Sequence, residues 1–215
     1  MGIPHRLAAE YPTRCLQLLN AAEPYARRAN LVGSFALLTA AAVLTIPLER
    51  ARAKHFLHRE RDLELTTMIG GLDKVLFCDA PFWGKEPPVG WRQSHIVKNF
   101  DAPAEWIARD GKHPLTEDAQ DFLPRKPTIA VLRALRNALA HGNVIYLNKD
   151  GQEREGELVH LLAFLSRYEE GEEQQAKSES YRLIVTTEDE FLRFVKRWAD
   201  WIGYRAIDDK QVEAA

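Results

Sequence analysis

The sequence predicts a mainly α-helical bundle with a small antiparallel β element near its C-terminus. Three observations predict it. Asn30 to Leu48 holds 19 residues without a charge and reads as one apolar helix. Thr128 to His141 contains no Pro or Gly, follows Pro127 and ends at Gly142, and places Val131, Leu132, Leu135 and Leu139 on one face. Strand-like runs gather only beyond residue 143: Val144 to Leu147, Tyr181 to Thr186, and Leu158 to Tyr168, which is apolar enough for strand or helix and is read as strand because it would pair with Tyr181 to Thr186.

The elements follow in chain order. Tyr11 to Ala29 reads as a first helix, with Leu16, Leu18, Leu19 and Ala22 apolar and Pro12 near its start. The second helix runs from Leu31 to about Thr45, where Pro47 kinks or ends it. Leu37, Leu38 and Val43 are expected in its buried face. A membrane span needs ~20 apolar residues. Here Ser34, Thr39, Thr45, Pro47 and several alanines dilute the run, so a buried helix of a soluble protein is the reading adopted, with no membrane partner. Glu49 to Leu65 is charged and helical, and Thr66 to Phe77 continues it, with Gly70-Gly71 as a weak point.

Residues 79 to 126 are crowded with Pro and Gly and carry Trp83, Trp91 and Trp106. They read as a long ordered connection or an insertion. Asp101 is placed to cap a short helix from Ala102 to Arg109. The tryptophans either pack the segment down or stack on a base. After the strands and an acidic loop from Glu169 to Ser180, Thr187-Glu188-Asp189-Glu190 fits a capping box. It opens a helix with Phe191, Phe194, Val195, Trp198, Trp201 and Ile202 on one broad face. The expectation is a single domain over residues 1–205, with 206–215 as a disordered tail.

Composition narrows the function classes. A hydrophobic fraction of 46% and a charged fraction of 28% belong to an ordinary globular chain. The formal net charge of −2 provides no overall field for nucleic acid, so any RNA contact needs a local patch. Arg125, Lys126, Arg133 and Arg136 supply one. Cys15 and Cys78 lack metal-ligand spacing, and with no signal-peptide pattern they suggest a reducing cytoplasm. His55 and His58 have a spacing that suits a metal, near Glu60, Asp62 and Glu64, but a solvated helix face explains them better. No metal or other cofactor is expected. His95, His113 and His160 have no evident partner. Neither a phosphate-binding glycine loop nor a nucleophile elbow is present.

The chemistry concentrates in Leu135-Arg136-Asn137-Ala138-Leu139-Ala140-His141-Gly142-Asn143. Arg136 offers a planar, permanently charged fork for phosphate oxygens. His141 titrates near neutrality and suits general acid–base work. The two are five residues apart, so a straight helix separates them by about 140°. They converge on one ligand only by reaching across Asn137 or across an interface with a second copy. Without chemistry, His141 would simply favour the helix C-terminal dipole and cap its carbonyls.

Arg-Asn-x-x-x-His on a helix resembles the R-x4-6-H motif of the HEPN superfamily, in which a polar residue usually follows the arginine. The resemblance covers roughly residues 30 to 204 and includes the order of elements around the motif. It implies a HEPN-like helical bundle, a homodimer whose motif helices meet, and metal-independent endoribonuclease activity. By resemblance Arg136, Asn137 and His141 are catalytic, with Arg133, Lys126 and Asn143 contacting RNA. The resemblance also implies a toxin or defence role with a cognate antitoxin. The alternative is a non-catalytic HEPN-like module that dimerises or binds a nucleotide.

Overall fold

A computed structural model describes residues 7–51, 60–167 and 180–212, with side chains described for 10–51, 65–167 and 180–203. Five helices are described: α1 (Leu7–Arg28), α2 (Val32–Arg50), α3 (Glu60–Gly71), α4 (Thr128–Ala140) and α5 (Glu188–Val212). Five strands join them: β1 (Arg92–Lys98), β2 (Ile107–Ala108), β3 (Val144–Leu147), β4 (Leu161–Arg167) and β5 (Tyr181–Thr187). They form one antiparallel sheet in the order β2-β1-β5-β4-β3.

The fold is therefore α+β, which corrects the expectation of a mainly α bundle with a small C-terminal β element; all-α does not describe it. The three strands read beyond residue 143 are present, and the sheet gains β1 and β2 from the Pro/Trp-rich segment. The reason for the misreading is local. β1 reads Arg92-Gln93-Ser94-His95-Ile96-Val97-Lys98, and its buried positions include Gln93 and Ser94. Hydrophobic alternation, the usual strand signal, is therefore weak there. Pairing with β5 over Arg92 to Ile96 builds the strand instead. The stretch read as a short helix from Ala102 is a 3-10 turn, Pro103–Glu105, followed by β2.

Other boundaries shift for simple reasons. α2 continues through Pro47 to Arg50. α1 carries both Pro12 and Pro24 inside it. Pro127 stands at the N-cap of α4 rather than within it. The cap of α5 is half of a capping box: Thr187 Oγ1 accepts from Glu190 N–H at 3.2 Å. Glu190 does not complete the box; its Oε2 accepts from Val89 N–H and Arg193. α5 runs to Val212, through part of the stretch read as a tail. The acidic loop (168–179), His55, His58 and residues 213–215 fall outside the described residues.

The sheet has two apolar faces. One shows Leu162, Phe164 and Ile184 to the helices, where they join Phe191, Phe194, Val195, Trp198 and the inner residues of α1, α2 and α4. Phe77, Phe82, Trp83 and Trp91 complete this core, ring edges meeting ring faces at 5.2 to 6.2 Å. The opposite face shows Ile96, Ala163, Leu165, Leu183 and Val185 and is covered by Trp106, with Phe100 and Leu115 beside it. All three tryptophans of the Pro-rich segment are buried, so they pack it down.

α2 packs against α1, α4 and α5 through Ala36, Ala40, Val43, Leu44 and Leu48. It is long and apolar enough to cross a membrane by length and composition. Its other face is open. Leu38, expected in the core, is 79% exposed, while Val43 is buried and Leu37 half-buried. Truncating Leu44 should accordingly cost ~2–5 kcal/mol, whereas Leu38→Ala in dilute solution should cost well under ~1 kcal/mol. Urea denaturation of both variants beside the wild type checks the contrast.

Candidate functional site

α4 lies across β4 and α2, anchored by Val131, Leu132, Ala134, Leu135 and Ala138. Its start is tied down by Thr128, whose N–H and Oγ1 both donate to the Val75 carbonyl, at 2.9 and 2.8 Å. Its end is a Schellman turn. Asn143 N–H donates to the Ala138 carbonyl at 2.8 Å and Gly142 N–H to the Leu139 carbonyl at 3.4 Å. Gly142 takes φ +68°, the left-handed conformation that this stop requires. The Asn143 carbonyl then accepts from Leu165 N–H at 2.9 Å and starts the β3–β4 ladder.

The motif residues distribute around this helix end. Arg136 is half-buried and points to α2, where its Nη1 meets Glu49 Oε1 at 3.1 Å. Its buried Nε makes no hydrogen bond among the described residues. Asn137 is half-buried, and its carbonyl accepts from His141 N–H at 3.2 Å. His141 sits at the C-cap, exposed to solvent, and Asn143 is exposed beyond it. The helix is regular between Arg136 and Ala140, so the arginine and histidine of one chain diverge. The Arg136–Glu49 pair was not legible in the sequence. Glu49 is the first charge after the uncharged run, but nothing there says which distant cation it meets.

A second contact ties this region to α2. Tyr146, just past the motif, shares a 2.9 Å hydrogen bond with Ser34. Arg136 thus touches the last turn of α2 and Tyr146 its first. The two contacts, at residues 136 and 146, bracket the motif turn and reach opposite ends of α2. The middle of α2 carries the exposed Leu38 and Ala41.

Lys126 and Arg133 do not gather around His141. Lys126 precedes α4, which is 13 residues or about 20 Å long, and so stands at its opposite end. There it pairs with Asp121 Oδ2 at 3.2 Å. Arg133 is exposed one turn beyond Ala130, whose carbonyl accepts from Arg182 Nη1 at 3.2 Å. Lys126 and Arg182 stand near His95, for which the sequence suggested no partner. Burial, and to a lesser degree the nearby Arg109, Arg182 and Lys126, push the His95 pKa below the ordinary histidine value, against a smaller opposing pull from Asp121. Only the β1–β5 register brings His95 opposite Arg182, and that pairing has no sequence signal.

No family model, no curated protein and no solved structure matches this chain.

Two outcomes follow. At Gly142 an added Cβ meets nothing within 4 Å, so only the left-handed backbone opposes substitution. Gly142→Ala should cost about 1–2 kcal/mol in a denaturant titration, and Gly142→Asn less. For His95, the depressed pKa means that the folded state binds fewer protons than the unfolded chain just below the ordinary histidine value. Stability then rises with pH in that interval and falls on acidification through about 6.5. Urea midpoints from about pH 7.5 to about 5.5 should fall less steeply for His95→Gln than for the wild type.

Proposed function

We propose that this chain is a metal-independent endoribonuclease of HEPN type that acts as a homodimer across the open face of α2. The observation that carries this reading is the exposed His141-Gly142-Asn143 turn, flanked by the Arg136–Glu49 and Tyr146–Ser34 contacts to the two ends of α2, whose middle exposes Leu38 and Ala41. Leu31, Ser34, Leu38, Ala41 and Thr45 follow the three-four spacing of a helix–helix seam. No charge lies between Leu31 and Leu48 to repel an identical helix. A two-fold interface there sets the turn of one protomer close to that of its partner. His141 then takes the proton of a ribose 2′-hydroxyl as that oxygen attacks the adjacent phosphate; the bond to the 5′-oxygen of the next nucleotide breaks, that oxygen receives a proton, and a 2′,3′-cyclic phosphate remains. Arg136 stabilises the charge that develops on the phosphoryl oxygens, and Asn137 orients the histidine. A toxin or defence role, with a cognate antitoxin, accompanies this reading by resemblance alone.

One observation favours the second reading, a non-catalytic dimerisation module. Arg136 is already neutralised by Glu49, so the same helix serves assembly without turnover unless RNA displaces that carboxylate.

The assay is cleavage of mixed RNAs by the wild type, His141→Ala and Arg136→Ala, with and without EDTA. The ribonuclease leaves 2′,3′-cyclic phosphate ends and ignores EDTA. His141→Ala should lower the rate ~10²–10⁴-fold, and Arg136→Ala ~10²–10³-fold. Leu38→Asp should convert a dimer to monomers in light scattering and abolish cleavage with it. A dimeric wild type without cleavage establishes the module; a wild type that stays monomeric at micromolar concentration removes the shared site.

A further inference from the structure

A second polar centre lies at the far end of α4 from His141. Its floor is the sheet. His95 on β1 and Arg182 on β5 are direct cross-strand neighbours and so project from the same face. Both are half-buried. Arg182 is steadied by the Ala130 carbonyl at 3.2 Å. Around this floor stand three further groups. Arg109 N–H donates to the His95 carbonyl at 3.2 Å. Asp121 exchanges backbone hydrogen bonds with Gln93, at 2.7 and 3.4 Å. Lys126 reaches back to Asp121.

The charge balance here runs against the rest of the molecule. Among the described residues, Arg109, Lys126 and Arg182 stand near His95 together with the carboxylate Asp121, in a chain whose formal net charge is −2. Asp121 is engaged by Lys126 at 3.2 Å and by the Gln93 amide at 3.5 Å. Arg109 is exposed and has no ion-pair partner among the described residues. Like charges placed directly opposite across a ladder destabilise a sheet. Burial, and to a lesser degree the surrounding cations, disfavour the charged form of His95 beside Arg182.

We propose that this cluster binds a phosphate group, with the guanidinium groups of Arg109 and Arg182 and the ammonium of Lys126 receiving the oxyanion and His95 beside Arg182 on the same face of the sheet. Guanidinium forks match phosphate oxygens bidentately. A neutral imidazole donates one further N–H. The phosphate is that of a nucleotide monoester or of an RNA backbone; the chemistry of recognition is shared. The site is about one helix length from His141 and stands independently of the ribonuclease reading.

The test is NMR titration of the His95 imidazole in the full-length chain, carrying His141→Ala so that RNA is not cut. Inorganic phosphate, AMP and a short single-stranded RNA are added separately at matched ionic strength. A bound phosphate should raise the His95 pKa by about 1 or more, as an opposite charge a few ångströms away does. Arg109→Ala, at an exposed position that leaves the core untouched, should weaken binding about 10-fold or more. Lys126→Ala provides a second variant with the same expected direction. Inorganic phosphate and AMP acting alike assigns the site to free phosphate monoesters, and RNA acting alone assigns it to the polynucleotide backbone. If no probe moves His95, or if Arg109→Ala and Lys126→Ala bind as the wild type does, the proposal is overturned. None of these outcomes bears on cleavage at His141, which the assay of wild type and variants decides separately.

Discussion

The junction of β5 and α5 is the constraint on which the rest of the structure depends. The strand ends at Thr187 and the helix begins at Glu188, with no linker between them. A helix leaving a strand so abruptly must lie back on the sheet or leave its apolar face in water. The face in question carries Phe191, Phe194, Val195, Trp198 and Ile202, all buried. Phe191 meets Phe164 of the neighbouring strand at 4.8 Å between ring centroids. Burying a large side chain of this kind is worth ~1.5–3 kcal/mol, so several together outweigh any single polar contact in the molecule.

Other elements take their places from α5. The indole N–H of Trp198 donates to the Val43 carbonyl at 3.0 Å, inside the core. At the opposite end of α2, Glu188 Oε2 accepts from Gly33 N–H at 2.9 Å, serving an amide in the first turn of that helix. A Cβ on Gly33 would stand 3.1 Å from that carboxylate, so the small residue permits the close approach. Burial pushes the Glu188 carboxyl pKa up. α1 packs against α5 through Cys15 and Leu19 in the core, and two ion pairs edge the contact: Glu23 with Lys196, and Arg27 with Asp189. With α2 fixed, α4 can seat only between it and β4, and both ends of α4 acquire defined surroundings.

Those ends have different character. The C-terminal end combines a backbone stop with the motif's titratable group. Gly142 and Asn143 complete the helix, so the turn that displays His141 is also the turn that begins β3. A change at Gly142 therefore acts on stability and on the site together. The N-terminal end is where positive charge accumulates, through loops that reach β1 from the Pro-rich segment. The exposed His141 turn and the His95–Arg182 cluster thus stand toward opposite ends of one short helix.

Much of this was determined by the sequence alone. Helices α1, α2, α4 and α5 were legible because apolar periodicity and stop residues are local properties, read within a few turns. So were β3, β4 and β5, and the Gly142 stop. The aromatic face of α5 followed from spacing alone. Tertiary structure decided the rest, because pairing across a sheet depends on residues far apart in the chain. β1 is polar enough to hide its strand character until β5 lies beside it. His95 acquires Arg182 only through register. Arg136 acquires Glu49 only through the crossing of α2 and α4. Leu38 shows the same limit from the other side: a helix apolar all round has no pattern to say which face is covered, and only packing against α1, α4 and α5 leaves Leu38 in solvent.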